Sequence, residues 1–218
     1  MTHPFYAFEF SELPTGGERP VTIAQIASLC IQEIRAVQEA GPYFIGGHCW
    51  GGEVAFEIAA RLERTGDKVA SLTLLESVPP LGNEATANDM PPPARAKAVS
   101  DLCERVREKL SRLPPELAER FGPVSWELID VARRYRATTH ISAPVFLIRT
   151  PTHPNSVFQD WSHLTSGGFE EHIVPGDAFS ILVAPVVKIV GARLDEALRD
   201  HRDRARAGQK GVLSEPAN

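Results

Sequence analysis

The chain has 218 residues, 43% hydrophobic and 23% charged. That is enough for one α/β domain with a sizeable core and too short for two full ones. A formal net charge of −5 leaves no basic footprint for nucleic acid and argues against an anionic membrane surface. Cysteines 30, 49 and 103 lack metal-ligand spacing and cannot all pair, which predicts free thiols, no metal and a reducing, cytoplasmic setting. No segment resembles a signal peptide, and no apolar run reaches the ~18 residues of a membrane span.

In chain order, the alternating aromatic stretch from Pro4 to Phe10 predicts a short strand. A Gly- and Pro-containing loop follows. Thr22 then caps a helix whose apolar face is Ile23, Ile26, Ala27, Cys30, Ile31, Ile34 and Val37, a 3.6-residue stripe. Cys30 lies on that stripe and reads as core filling. Tyr43 to Ile45 is a compact strand, and after a glycine cluster a second helix runs through Val54, Ile58 and Leu62 until Gly66 stops it. Val69 to Leu75 is the next strand, with Glu76 at its end.

This order of helix, strand, helix, strand predicts a mostly parallel sheet covered by helices on both faces. From 78 to 140 prolines, charge and helical patterns replace strand signals, as in a helical insertion above the sheet. Cys103 sits on its packing face with Val99, Leu102, Val106 and Leu110. Pro144 to Ile148 and His172 to Val174 read as further strands, and a helix from about Pro185 closes a single domain over 1–206. Residues 207–218, rich in Gly, Ser and charge, predict a flexible tail.

The chemistry concentrates in Gly46-Gly47-His48-Cys49-Trp50-Gly51-Gly52, placed between a strand and a helix. That is the context of a nucleophile elbow, in which a strained turn holds the central side chain above the sheet. The residues two before and two after it, Gly47 and Gly51, must be small so that strand and helix can pass closely. Cys49 is the expected nucleophile, and the Trp50 backbone N–H an oxyanion donor. A helix N-terminus favours thiolate, so the Cys49 pKa is expected to fall. Glycine-rich strand–helix turns also bind phosphate, but the dinucleotide and P-loop spacings are absent here.

The run from Gly41 to Leu62, with Gly167 to Asp177 downstream, resembles the thioesterase domains of polyketide and non-ribosomal peptide synthases, as a cysteine-nucleophile variant. The likeness covers roughly residues 4–79 and 140–200 and implies an α/β-hydrolase fold with 78–140 as its lid. It implies Glu76 as the triad acid, standing where the family usually has aspartate. It also implies a triad histidine at position 178, where this sequence has Ala178. His172 and His48 are poor substitutes by their placement. The family further implies a strand and a glycine-containing loop ahead of Pro4, which this sequence does not contain.

The implied activity is transfer of an acyl or peptidyl chain from a carrier-protein phosphopantetheine thioester onto Cys49, then release by hydrolysis, cyclisation or transfer. The carrier protein is the expected partner, with no nucleic acid, no membrane and no cofactor beyond the phosphopantetheine that carries the substrate. Without the imidazole the chain is expected to be impaired, through an introduced His→Ala change or a natural loss. The alternatives are a non-catalytic thioesterase-like module that binds carrier or product, and, third, a simple esterase.

Overall fold

The computed structural model describes residues 4–8, 22–80, 104, 108, 131–132, 134–151, 161–176 and 180–212. Helix α1 spans Ile23–Val37, strand β1 Tyr43–His48, helix α2 Gly51–Arg64 and strand β2 Val69–Leu75. Strands β3 (Val145–Arg149) and β4 (Phe169–Ile173) follow, and helix α3 (Val186–Val212) comes last.

The four strands pair in parallel in the order β1-β2-β3-β4. Alternation along β3 shows that both faces of the sheet are covered. Val145 and Leu147 join one core cluster with residues of α1 and α2, while Phe146 and Ile148 join a second with Val186 and Val190 of α3. A Leu or Ile buried in this way stabilises the fold by about 1.5–3 kcal/mol. The arrangement is an α/β fold, a parallel sheet between helices, as the order of elements predicts.

Local chemistry sets the element ends. The Thr22 hydroxyl accepts the Gln25 N–H at 3.1 Å, capping α1. Glu63, in the last turn of α2, accepts the backbone N–H groups of Ser142 (2.6 Å) and Ala143 (2.8 Å), tying that helix to the start of β3. Arg149 and Glu171 form a two-point ion pair, at 2.6 and 3.2 Å, between β3 and β4. The ladder register leaves β1, β2 and β3 ending level with one another.

Two expectations need correction. Residues 4–8 form no strand; Phe5 and Tyr6 are 79% and 65% exposed, and aromatic alternation with no described backbone paired to it does not make one. Val37, expected on the apolar face of α1, is exposed at its last turn. Helix α3 runs to Val212, so that residues 207–212 are helical. The stripe from Val99 to Leu110 lies outside the described residues. Among the described residues no helix is long and apolar enough to cross a membrane.

Candidate active site at the strand ends

Because His48 is in register with Leu75, and Leu75 with Ile148, the chain leaves β1, β2 and β3 at neighbouring points. Cys49 follows β1, Glu76 follows β2 and Thr150 lies just past β3. This is the carboxyl edge of a parallel sheet, where α/β folds place their ligands.

Cys49 has φ 53 and Glu76 φ 50, the only non-glycine residues with positive φ among the described residues. Left-handed backbone at two adjacent strand ends is strain that the surrounding contacts must hold. The Cys49 N–H donates to Leu75 O at 2.8 Å, and the Glu76 N–H to Ile148 O at 2.9 Å. Ser77, which no sequence motif marks, donates its hydroxyl to Cys49 O at 2.8 Å. Trp161, fully buried, donates its indole N–H to Ser77 O at 3.1 Å. The elbow is thus held from beneath by a small hydrogen-bonded chain.

The steric demand of the elbow falls on a different pair of glycines than expected. A Cβ at Gly47 would overlap the carbonyl of Gly51, so Gly47 must be small. At Gly51 itself an added Cβ meets nothing within 4 Å. The second tight position is Gly52, where a Cβ would overlap the Ser77 side chain, because α2 starts directly against the chain leaving β2.

Cys49 keeps an exposed face. Its thiol pKa is nevertheless raised from the ordinary thiol value. Crowding by surrounding protein is the largest cause. The hydrogen bond from the Trp50 backbone N–H lowers it, and the carboxylates of Glu53 and Glu76 raise it again. The sequence-based expectation of a lowered pKa is therefore reversed: desolvation with two nearby acids outweighs the helix N-terminus. Alkylation of Cys49 by iodoacetamide should level off at higher pH than in the urea-unfolded chain, and at neutral pH should be slower. A plateau at lower pH than in the unfolded chain would show that the helix N-terminus dominates after all.

Glu76 is 2% exposed. One carboxylate oxygen accepts the Thr150 backbone N–H, and the other is buried with no hydrogen-bond partner among the described residues. A buried acceptor left unmatched costs about 1–3 kcal/mol, so such an atom asks for a donor. Position 178 lies outside the described residues, although the chain leads toward it from β4 through Val174, whose N–H donates to Arg149 O at 2.9 Å. His172 is committed elsewhere, 2.7 Å from Glu170 Oε1 and with its ring 4.8 Å from that of Phe146. His48 is half-buried at the end of β1. Cys30 is buried in the core with its pKa pushed up to about 11, as a packing thiol. No group of three or more His, Cys, Asp or Glu among the described residues is placed to hold a metal.

Comparison with known proteins gives the family of the chain. Residues 4–194 match the model of the thioesterase domain. The chain is 25% identical over 222 residues to a probable non-canonical non-ribosomal peptide synthetase, CymA, of Salinispora arenicola, covering 90% of this chain and 3% of that protein. It is 26% identical to atromentin synthetase greA of Suillus grevillei, covering 88% and 24%. It thus spans a small part of these relatives' length. Among solved structures, the NocB thioesterase domain of the nocardicin cluster superposes with a TM-score of 0.65 at 24% identity, covering 87% of this chain and 79% of that one. The RedJ thioesterase of Streptomyces coelicolor gives 0.62 at 22%, covering 81% and 72%. The chain belongs to the thioesterase domain family.

Proposed function

We propose that this domain accepts an acyl or peptidyl chain from a carrier-protein phosphopantetheine thioester onto Cys49, as a step in natural-product release. The observation that carries the reading is Cys49 itself. It sits in left-handed backbone on the strand–helix turn, with an exposed face, the Trp50 N–H on its sulfur and the buried Glu76 beside it. In the loading step the Cys49 thiolate attacks the thioester carbonyl and the Trp50 N–H helps hold the developing oxyanion. The carbon–sulfur bond to phosphopantetheine then breaks, and the departing thiolate takes up a proton from solvent, replacing the one that Cys49 gave up. This exchange of one thiol for another needs little help from a base, so loading is open to a chain with alanine at 178.

Release is the harder step. Water must lose a proton as it attacks, and an imidazole at 178, oriented by the unmatched oxygen of Glu76, would fill that role. With Ala178 the loaded form should persist in water and react better with an amine, which brings its own nucleophilicity.

The competing reading, a module that binds carrier or product without chemistry, is favoured by Ala178 and by the raised pKa of Cys49. Incubation with an acyl-carrier thioester separates the two. A mass increase of one acyl group supports loading, whereas a stable complex with unchanged chain mass supports the module. Faster reaction with a simple ester than with the carrier thioester would favour an esterase instead.

A further inference from the structure

The peptide that joins Cys49 to Trp50 carries both sides of the elbow. Its N–H, from Trp50, meets the Cys49 sulfur and is the donor proposed above for the oxyanion. Its C=O, from Cys49, accepts the Gly52 N–H at 2.9 Å and the Ser77 hydroxyl at 2.8 Å. The peptide is trans and planar, so its N–H and C=O point opposite ways. Fixing the carbonyl therefore aims the N–H.

The Gly52 bond belongs to the turn itself, whereas Ser77 grips the peptide from the end of β2. The Cys49 N–H donates to Leu75 O at 2.8 Å, so the two residues flanking Glu76 hold the nucleophile's backbone by its N–H and by its C=O. Leu75 O also lies 3.1 Å from the Ser77 hydroxyl, but a hydroxyl has one proton and the Cys49 carbonyl is nearer. Ser77 is itself buried, and the Trp161 indole N–H donates to its carbonyl at 3.1 Å. That indole packs on Phe56 of α2, with ring centroids 5.8 Å apart, so the anchor of Ser77 rests on the helix that follows the elbow. Gly52 leaves the space the hydroxyl occupies.

Resting on the assignment of Cys49 as the acylated residue, we infer that Ser77 is a positioning residue for the oxyanion donor. Its hydroxyl fixes the Cys49–Trp50 peptide, and through it the direction of the Trp50 N–H. A donor already aimed stabilises charge as it develops and does not have to turn at that moment. Without the Ser77 hydroxyl the Cys49 carbonyl keeps only the Gly52 N–H among the described residues, and the peptide is free to tilt. Alignment suffers first, because hydrogen bonds weaken steeply with angle.

Two reactions of the same thiolate test this. Butyryl-pantetheine acylates Cys49 through an oxyanion. Iodoacetamide alkylates it by direct displacement, in which a carbon–sulfur bond forms as the carbon–iodine bond breaks, iodide leaves and no oxyanion arises. The ratio of the two rates, read at the Cys49 peptide by mass spectrometry at one pH, cancels any change in thiolate population or in the folded fraction. Ser77→Ala should lower that ratio about tenfold, part of the ~10²–10³-fold that loss of an oxyanion donor costs. Ser77→Thr, which keeps a hydroxyl, should hold more of the ratio than its isostere Ser77→Val, and this pair serves if the alanine chain does not fold. A ratio unchanged in Ser77→Ala, or equal in the threonine and valine chains, would overturn this inference and leave the Cys49 assignment standing. No acylation of Cys49 in the unaltered chain would overturn both.

Discussion

Replacing Ala178 by histidine is expected to speed loss of an acyl group from Cys49 to water by ~10²–10⁴-fold, the usual worth of general-base assistance. Loading should gain much less, because the leaving thiolate needs little protonation. The contrast is best read by pre-steady-state decay of the loaded chain, first in water and then with an amine acceptor, for Ala178 and for Ala178→His. The histidine form should shed its acyl group to water far faster and gain less with the amine. Rapid hydrolysis by the alanine form would mean that another residue is the base. No gain in the histidine form would mean that a missing imidazole is not what limits release.

The second large effect depends on the first. In the Ala178→His background, Glu76→Gln should slow hydrolysis on the order of 10²–10⁴-fold. The two oxygens of Glu76 supply the reason. One is occupied by the Thr150 N–H, so the substituted amide would keep its carbonyl there and turn its NH₂ toward the imidazole. That presents a donor where an acceptor is needed and selects the wrong tautomer. With alanine at 178 the same substitution should change deacylation little, since there is no ring to orient. An equal effect in both backgrounds would show that Glu76 acts through the fold and not through a histidine.

The parts of the molecule legible in the sequence are those set by local rules. Thr22 caps its helix where a side-chain oxygen precedes an apolar stripe, and β2 runs from Val69 to Leu75 because a continuous apolar run between glycine and charge has few other uses. The strand–helix turn at Cys49 could be read because its spacing and its context coincide. Long-range effects were not legible. Gly52 is tight only because Ser77 returns from β2 against it, and Ser77 matters only through Cys49 and Trp161. The thiol pKa goes the opposite way from expectation for the same reason. The helix N-terminus is visible in the sequence, whereas the crowding and the approach of Glu53 and Glu76 belong to the folded chain. The strand expected from Pro4 to Phe10 is not formed over the described residues 4–8, because pairing is a property of two segments and a pattern describes one.

Everything proposed for this domain depends on Cys49 being the residue that carries the acyl group. Digestion and tandem mass spectrometry of the chain, after brief exposure to an acyl-carrier thioester, reads this out. A single acyl group is expected on the peptide containing Cys49, lost in Cys49→Ala and retained when Cys30 or Cys103 is changed to alanine. An acyl group that persists in Cys49→Ala, or that maps to Cys30, Cys103 or a lysine, would contradict it.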